Sequence, residues 1–299
     1  MVSGGRIVRA LLPRVIAHGR WERLVMRLVL AVVAFMAIRW GLPFELQPNP
    51  NGLASWGVDF TFLNSWEVMG PLRAGVVVSL MVYVIGWLPV LALVLPLFTL
   101  VGVGTLINSQ GAINHDTQVV ALVLLGQWVA FLVMGIRGGG WVRAPAPAEN
   151  VAIHVAKLMI VATYVVSAAV KLDESDGRWI HDDVPKLAVQ LRKANLSKHA
   201  SDLQPVDHFA GEVVPEWIIE NPWLARGVFG GGLLLELFCF LALAGRRWAL
   251  AVGLALIAMH LSIGWLMSLH FTFNVALVAA YLVNLPGIAK LAPKKPVAS

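Results

Sequence analysis

Apolar residues in this chain come in long continuous runs, without the period-two alternation of a half-buried strand. Runs of roughly twenty residues are long enough to cross a ~30 Å hydrocarbon layer as helices. They fall at about Leu24–Leu42, Leu72–Asn108, Val119–Ile136, Val151–Val170, Trp223–Leu243, Trp248–Met267 and Phe271–Leu285. The second run is too long for one span, and Gly86-Trp87-Leu88-Pro89 near its middle is a turn signal. It divides into a tight hairpin whose second arm Pro96 should kink. The pattern predicts an all-α, polytopic membrane bundle of eight transmembrane helices, forming one domain over residues 1–299.

The polar stretches between the runs give the loops. Residues 43–71 are rich in Pro, Asn and Trp and predict an external loop, with Trp56 and Trp66 suited to the membrane interface. Residues 108–118 form a polar bend. The longest loop, 172–222, holds most of the acids. Within it Val184, Leu187, Ala188 and Leu191 recur at helical spacing among Lys186, Arg192 and Lys193. That spacing predicts a short amphipathic helix lying on the membrane surface.

Composition agrees with the runs. The chain is 58% hydrophobic and 13% charged, with a mean hydropathy of +0.75, which excludes an ordinary soluble domain. A net charge of +6 would also suit a nucleic-acid binder. The basic residues instead stand at the ends of apolar runs, as cytoplasmic anchors do, so nucleic acid is excluded as a partner and membrane lipid is implied. Arg6, Arg9, Arg14, Arg20, Arg23 and Arg27 against the single acid Glu22 predict a cytoplasmic N-terminus. The hairpin then places Arg137, Arg143, Arg246, Arg247, Lys290, Lys294 and Lys295 on that same side. Both termini are expected in the cytoplasm, and the protein in the cell inner membrane. The first run lacks a small-residue cleavage site and predicts a retained helix. One cysteine, Cys239, leaves no disulfide or CxxC chemistry. His260 and His270 do not share a helix face and no HExxH is present, so no metal site is expected.

A few polar residues inside the runs are candidates for chemistry. Lys157, Tyr164 and Lys171 are spaced by seven and share one face of the fifth span. An ionisable stripe is costly in lipid and should face protein. Burial disfavours an ammonium, which makes Lys171 a candidate base; the competing reading is a lysine that reaches for the headgroups. Asn114 and His115 open the fourth span at the same external depth as Lys171. They suit either a helix cap or a proton-handling pair. Glu236, deep in an apolar run, needs a partner, and Lys157 at similar depth is expected to supply a structural ion pair. His260, mid-run, is either a core histidine bonded to a backbone carbonyl or part of a cavity wall.

With these residues in order, the chain resembles the HTTM family, the transmembrane domain shared with vitamin K-dependent gamma-carboxylase. Gly86-Trp87-Leu88-Pro89 is similar to the family's short turn between its second and third helices. Asn114-His115 resembles its Asn-His pair. Tyr164 through Lys171-Leu172-Asp173, with Trp179 downstream, resembles its Tyr–small–Lys-Leu segment. Leu233-Leu234-Leu235-Glu236, Arg246-Arg247 and His260 resemble the landmarks that follow. The likeness covers about Leu24 to Leu285. It implies a reduced quinone as cofactor, Lys171 as the base acting on it, His115 supporting carbanion chemistry, and Asn114, Tyr164 and His260 lining the cofactor pocket. Only a short tail follows the last run, so the expectation is a small bacterial-type member without the large soluble carboxylase domain. Two functions follow. One is a quinol-linked, gamma-carboxylase-like enzyme. The other is a non-catalytic membrane subunit that binds a partner protein through the 172–222 loop. A transporter is disfavoured, since no inverted repeat of broken helices is visible.

Overall fold

The structure, a computed structural model, describes residues 15–39, 43–111, 115–138, 140–180, 217–218, 220–267 and 269–291. Eight principal helices carry the fold: α1 (Arg20–Arg39), α2 (Trp66–Ile85), α3 (Pro89–Ser109), α4 (His115–Ile136), α5 (Ala146–Glu174), α6 (Pro222–Leu237), α7 (Arg246–Met267) and α8 (Thr272–Val278). A 3₁₀ segment, Phe238–Leu243, extends α6, and a π turn, Ala279–Val283, extends α8. No strand forms among the described residues. Among the described residues six helices, α2 to α7 (α6 with its extension), are long and apolar enough to cross a membrane. The amphipathic helix expected within 184–193 lies outside the described residues, and so does Asn114.

The divided second run is the hairpin its turn signal predicts. Gly86 ends α2 in the left-handed region at φ 85°; its N–H donates to the Tyr83 carbonyl and the Trp87 N–H to the Val82 carbonyl. Glycine holds this conformation without a Cβ penalty. Leu88 is also left-handed, at φ 42°, and its N–H donates to the Val142 carbonyl at 2.8 Å. The turn is thereby pinned to the link between α4 and α5. Pro89 then starts α3, where its missing N–H costs nothing.

The bundle is apolar on its outside. On α3, Leu91, Val94, Phe98 and Val101 form an exposed stripe at helical spacing, while Leu93, Leu100, Val103 and Leu106 are buried. A soluble bundle could not leave such a stripe to water, and a lipid-facing one needs no polar outer face.

Connections alternate between two ends of the bundle, and charge collects at one of them. There Glu22 on α1 accepts from His18 Nδ1 at 2.8 Å, Arg246 Nη1 at 3.0 Å and Asn284 Nδ2 at 3.1 Å. Arg23 and Arg27 pair with Glu149 at the start of α5. The starts of α1, α5 and α7, the Gly86 turn and the end of α8 therefore share this basic end. At the opposite end Asn51 N–H donates to the Ser109 carbonyl at 2.7 Å, and the Asp116 carboxylate receives the Phe273 and Asn274 N–H groups at the start of α8. The common side that the Lys and Arg distribution demands is thus present for Arg23, Arg27, Arg246 and the 137–149 link.

His18, just ahead of α1, ties this end to pH. Burial foremost, and then the Lys157 charge, hold its imidazole down at about 4, so it donates to Glu22 as the neutral ring. The folded state then binds fewer protons than the unfolded chain between pH 4 and 6.5. Stability contributed here is complete above pH 6.5 and is lost as pH falls towards 4, by up to ~3 kcal/mol. Melting temperatures from pH 7.5 to 4.5 should show this decline, flattened in His18→Gln. Equal slopes for both proteins would contradict it.

Candidate functional site

In the half of the bundle away from the basic end, α5, α6, α7 and α8 bring polar side chains together. Lys171 and Tyr164 stand on the inward face of α5, as the spacing of seven predicts. Tyr164 is buried and its hydroxyl lies 2.6 Å from His260 Nε2 on α7. The Asn274 side chain of α8 lies near that hydroxyl. The hydroxyl donates to Nε2 when the ring proton is on Nδ1 and accepts from Nε2 otherwise. Among the described residues His260 Nδ1 and Asn274 Oδ1 have no hydrogen-bond partner, although both residues are buried. His260 is thus held by a side chain and not by a backbone carbonyl, and it also lines a cavity.

Lys171 does not reach for the headgroups. Its Nζ lies 2.5 Å from Glu236 Oε2 on α6, with Ser167 Oγ at 3.5 Å from the same oxygen and the Trp179 ring 5.9 Å away. This corrects the expected Lys157–Glu236 pair. Lys157 is buried near Glu22 and Arg246 at the basic end, two turns of α5 beyond Tyr164. The reason is axial offset. Trp179 packs with Ala225 and Phe229 of α6, and Ile180 sits beside Gly230, so the first half of α6 flanks residues past the end of α5. Glu236 therefore comes level with Ser167 and Lys171, whereas counting inward from Trp223 as a boundary placed it near Lys157. Lys171 keeps 31% of its side chain exposed and Glu236 only 8%, so the lysine faces the opening and the carboxylate the interior.

The pair has a measurable signature. Glu236→Ala alone leaves an ammonium without its counter-charge in a poorly solvated place, at a cost of ~3–5 kcal/mol. Glu236→Ala with Lys171→Ala should melt higher than the single variant in detergent. A double variant that melts lower, by the sum of the two single effects, would show that the groups are independent.

Asp116, one residue after His115, anchors the wall of the site. Its Oδ1 receives the Phe273 and Asn274 N–H groups at 3.2 and 3.3 Å, satisfying the start of α8 as a capping carboxylate does. This sets Asn274 against Tyr164. His115 itself opens α4 at this end of the bundle. Beside His260 lies a cleft of about 520 Å³ lined by Leu261, Gly264, Trp265, His270, Phe271 and Val275 among others. The Phe271 ring lies 5.0 Å from the His260 ring. Among the described residues no three metal-ligating side chains gather. Asn274 escaped the sequence reading, although an asparagine inside an apolar run was signal enough. Compared with known protein families, curated proteins and solved structures, the chain matches none.

Proposed function

We propose that this is a quinol-linked membrane enzyme of the HTTM type, with eight spans, its basic end in the cytoplasm and its polar site in the outer half of the inner membrane. The observation that carries the reading is the pairing of Lys171 with Glu236 near the Tyr164–His260 pair, whose His260 lines an aromatic-walled cleft. The donors suit a quinone ring. Leu261, Phe271 and Val275 give apolar contact, and a buried imidazole with an unsatisfied nitrogen stands among them. A reduced quinone bound there would supply acidic hydroxyl protons and a pair of electrons.

The residues themselves handle the proton. Lys171 is the candidate base: as the free amine it would take a hydroxyl proton of the quinol, and Glu236 holds its Nζ in place. Tyr164 holds the His260 ring through Nε2, so that Nδ1 stands at a constant position. By resemblance His115 supports an anion formed nearby. The Asp116 cap keeps the wall of the site in register.

The deciding experiment uses purified protein in lipid nanodiscs, supplied with a short-chain quinol and dioxygen. Quinol oxidation should exceed that of empty nanodiscs. The absence of both quinol oxidation and quinone co-purifying from native membranes would sink the reading. A protein partner that co-purifies with wild type and Lys171→Ala alike would then favour the subunit reading.

A further inference from the structure

The sequence separates His260 from His270, since ten residues of continuous helix would place them on different faces. The structure breaks the helix between them. α7 ends at Met267 and α8 starts at Thr272, so His270 returns towards α7 and both imidazoles line one cleft. Gly264 makes the return possible. A Cβ added there would lie 3.2 Å from His270 Nδ1, tighter than ordinary packing allows. The two imidazoles differ. His260 is buried, fixed through Nε2 by Tyr164 and left with Nδ1 unpartnered among the described residues, while His270 is exposed at the rim.

The rim lies on the outside of the bundle. Leu261 is 61% and Trp265 47% exposed, one on either side of Gly264 on the membrane-spanning part of α7. A ligand entering here passes Leu261 and Trp265, with His270 at the rim and His260 at the inner end. Among the described residues the lining has no carboxylate, lysine or arginine to recruit a charged molecule from water.

We infer that the cleft is a lateral entrance from the lipid. It admits an uncharged flat ring bearing a hydroxyl or carbonyl, passes it between α7 and α8, and engages it with His260 at the inner end and His270 at the rim. The ring lies against Phe271 and Trp265, and its polar atom satisfies the nitrogen that the protein leaves unpaired. The inference rests on the site assigned above but concerns entry and binding, not turnover.

The test is saturation binding of tritiated 1-naphthol to the protein in nanodiscs, with empty nanodiscs subtracted. A single saturable site is expected. Unlabelled naphthalene, which lacks the hydroxyl, should compete at least ~10-fold more weakly, the scale of one lost hydrogen bond to a buried group. Charged 1-naphthyl phosphate should not compete. Gly264→Leu, which fills the cleft, should remove binding, and His260→Phe should weaken it to the level of naphthalene. Both variants are checked for the wild-type melting transition, and Gly264→Ala replaces Gly264→Leu if the latter unfolds. Binding without any quinol oxidation would sink the enzymatic reading alone. The entrance is overturned by absence of a saturable site, by equal competition from the phosphate, or by binding that folded Gly264 variants leave unchanged.

Discussion

Lys171→Ala should reduce quinol oxidation by about 10²–10⁴-fold, the range expected when a positioned general base is removed. The loss has two sources that variants can separate. Removing the amine deletes the proton acceptor, and it also strands the Glu236 carboxylate, which sits 2.5 Å from Nζ in the folded protein. Lys171→Ala combined with Glu236→Gln relieves the stranded charge, so it should recover the melting temperature and none of the turnover. Lys171→Arg restores a cation to Glu236 yet should stay inactive, because a guanidinium does not give up its proton near neutral pH. A small amine such as ethylamine should restore part of the activity of Lys171→Ala. The lysine lies on the open side of the pair, with 31% of its side chain exposed, so the space it leaves is reachable. Full turnover in Lys171→Arg would rule out Lys171 as the base.

Glu22→Ala should produce the largest loss of stability at the basic end. One carboxylate oxygen accepts from His18, Arg246 and Asn284, which belong to the lead into α1, the first turn of α7 and the end of α8. Glu22 is 2% exposed, and the Lys157 ammonium is buried in the same region. Without the carboxylate, two cations face each other with little water between them. Removing one member of a buried pair costs ~3–5 kcal/mol, a large part of the few to fifteen that hold a typical domain together. Glu22→Gln retains an acceptor oxygen and loses the charge, so it should fall between wild type and Glu22→Ala. Glu22→Ala with Arg246→Ala should be less damaging than the two single losses added. Detergent melting curves distinguish these cases. A Glu22→Ala protein that melts with wild type would mean that the three donors find other acceptors.

These two carboxylates also mark how far the sequence could be read. Both announce themselves as charges in or beside apolar runs, and both needed partners. For Glu22 the excess of nearby arginines implied one end of the bundle, and that end is where it lies. For Glu236 the sequence implied Lys157, and the structure supplies Lys171. Hydropathy fixes how long a helix is and roughly where its apolar stretch lies. It does not fix how far one helix slides along its neighbour, and α6 slides by enough to move Glu236 from one lysine to the other.

By itself the sequence determined the helical runs, the Gly86 turn, the gathering of basic residues at one end and the inward stripe of Lys157, Tyr164 and Lys171. Each follows from local terms: apolar length, the left-handed preference of glycine, the cost of charge in lipid and the 3.6-residue period. Only the tertiary structure decided which groups meet across the bundle. Tyr164 meets His260 across the interior because α5 and α7 both pack against α6 and its extension. His270 meets the His260 cleft because the chain breaks between α7 and α8, where extrapolated periodicity fails. The buried string of Tyr83, Gln127 and Tyr281, linked at 2.5 and 2.6 Å, joins three helices far apart in sequence. In lipid such polar atoms have no solvent to fall back on, so their partners select the packing of helices that the apolar runs alone leave undetermined.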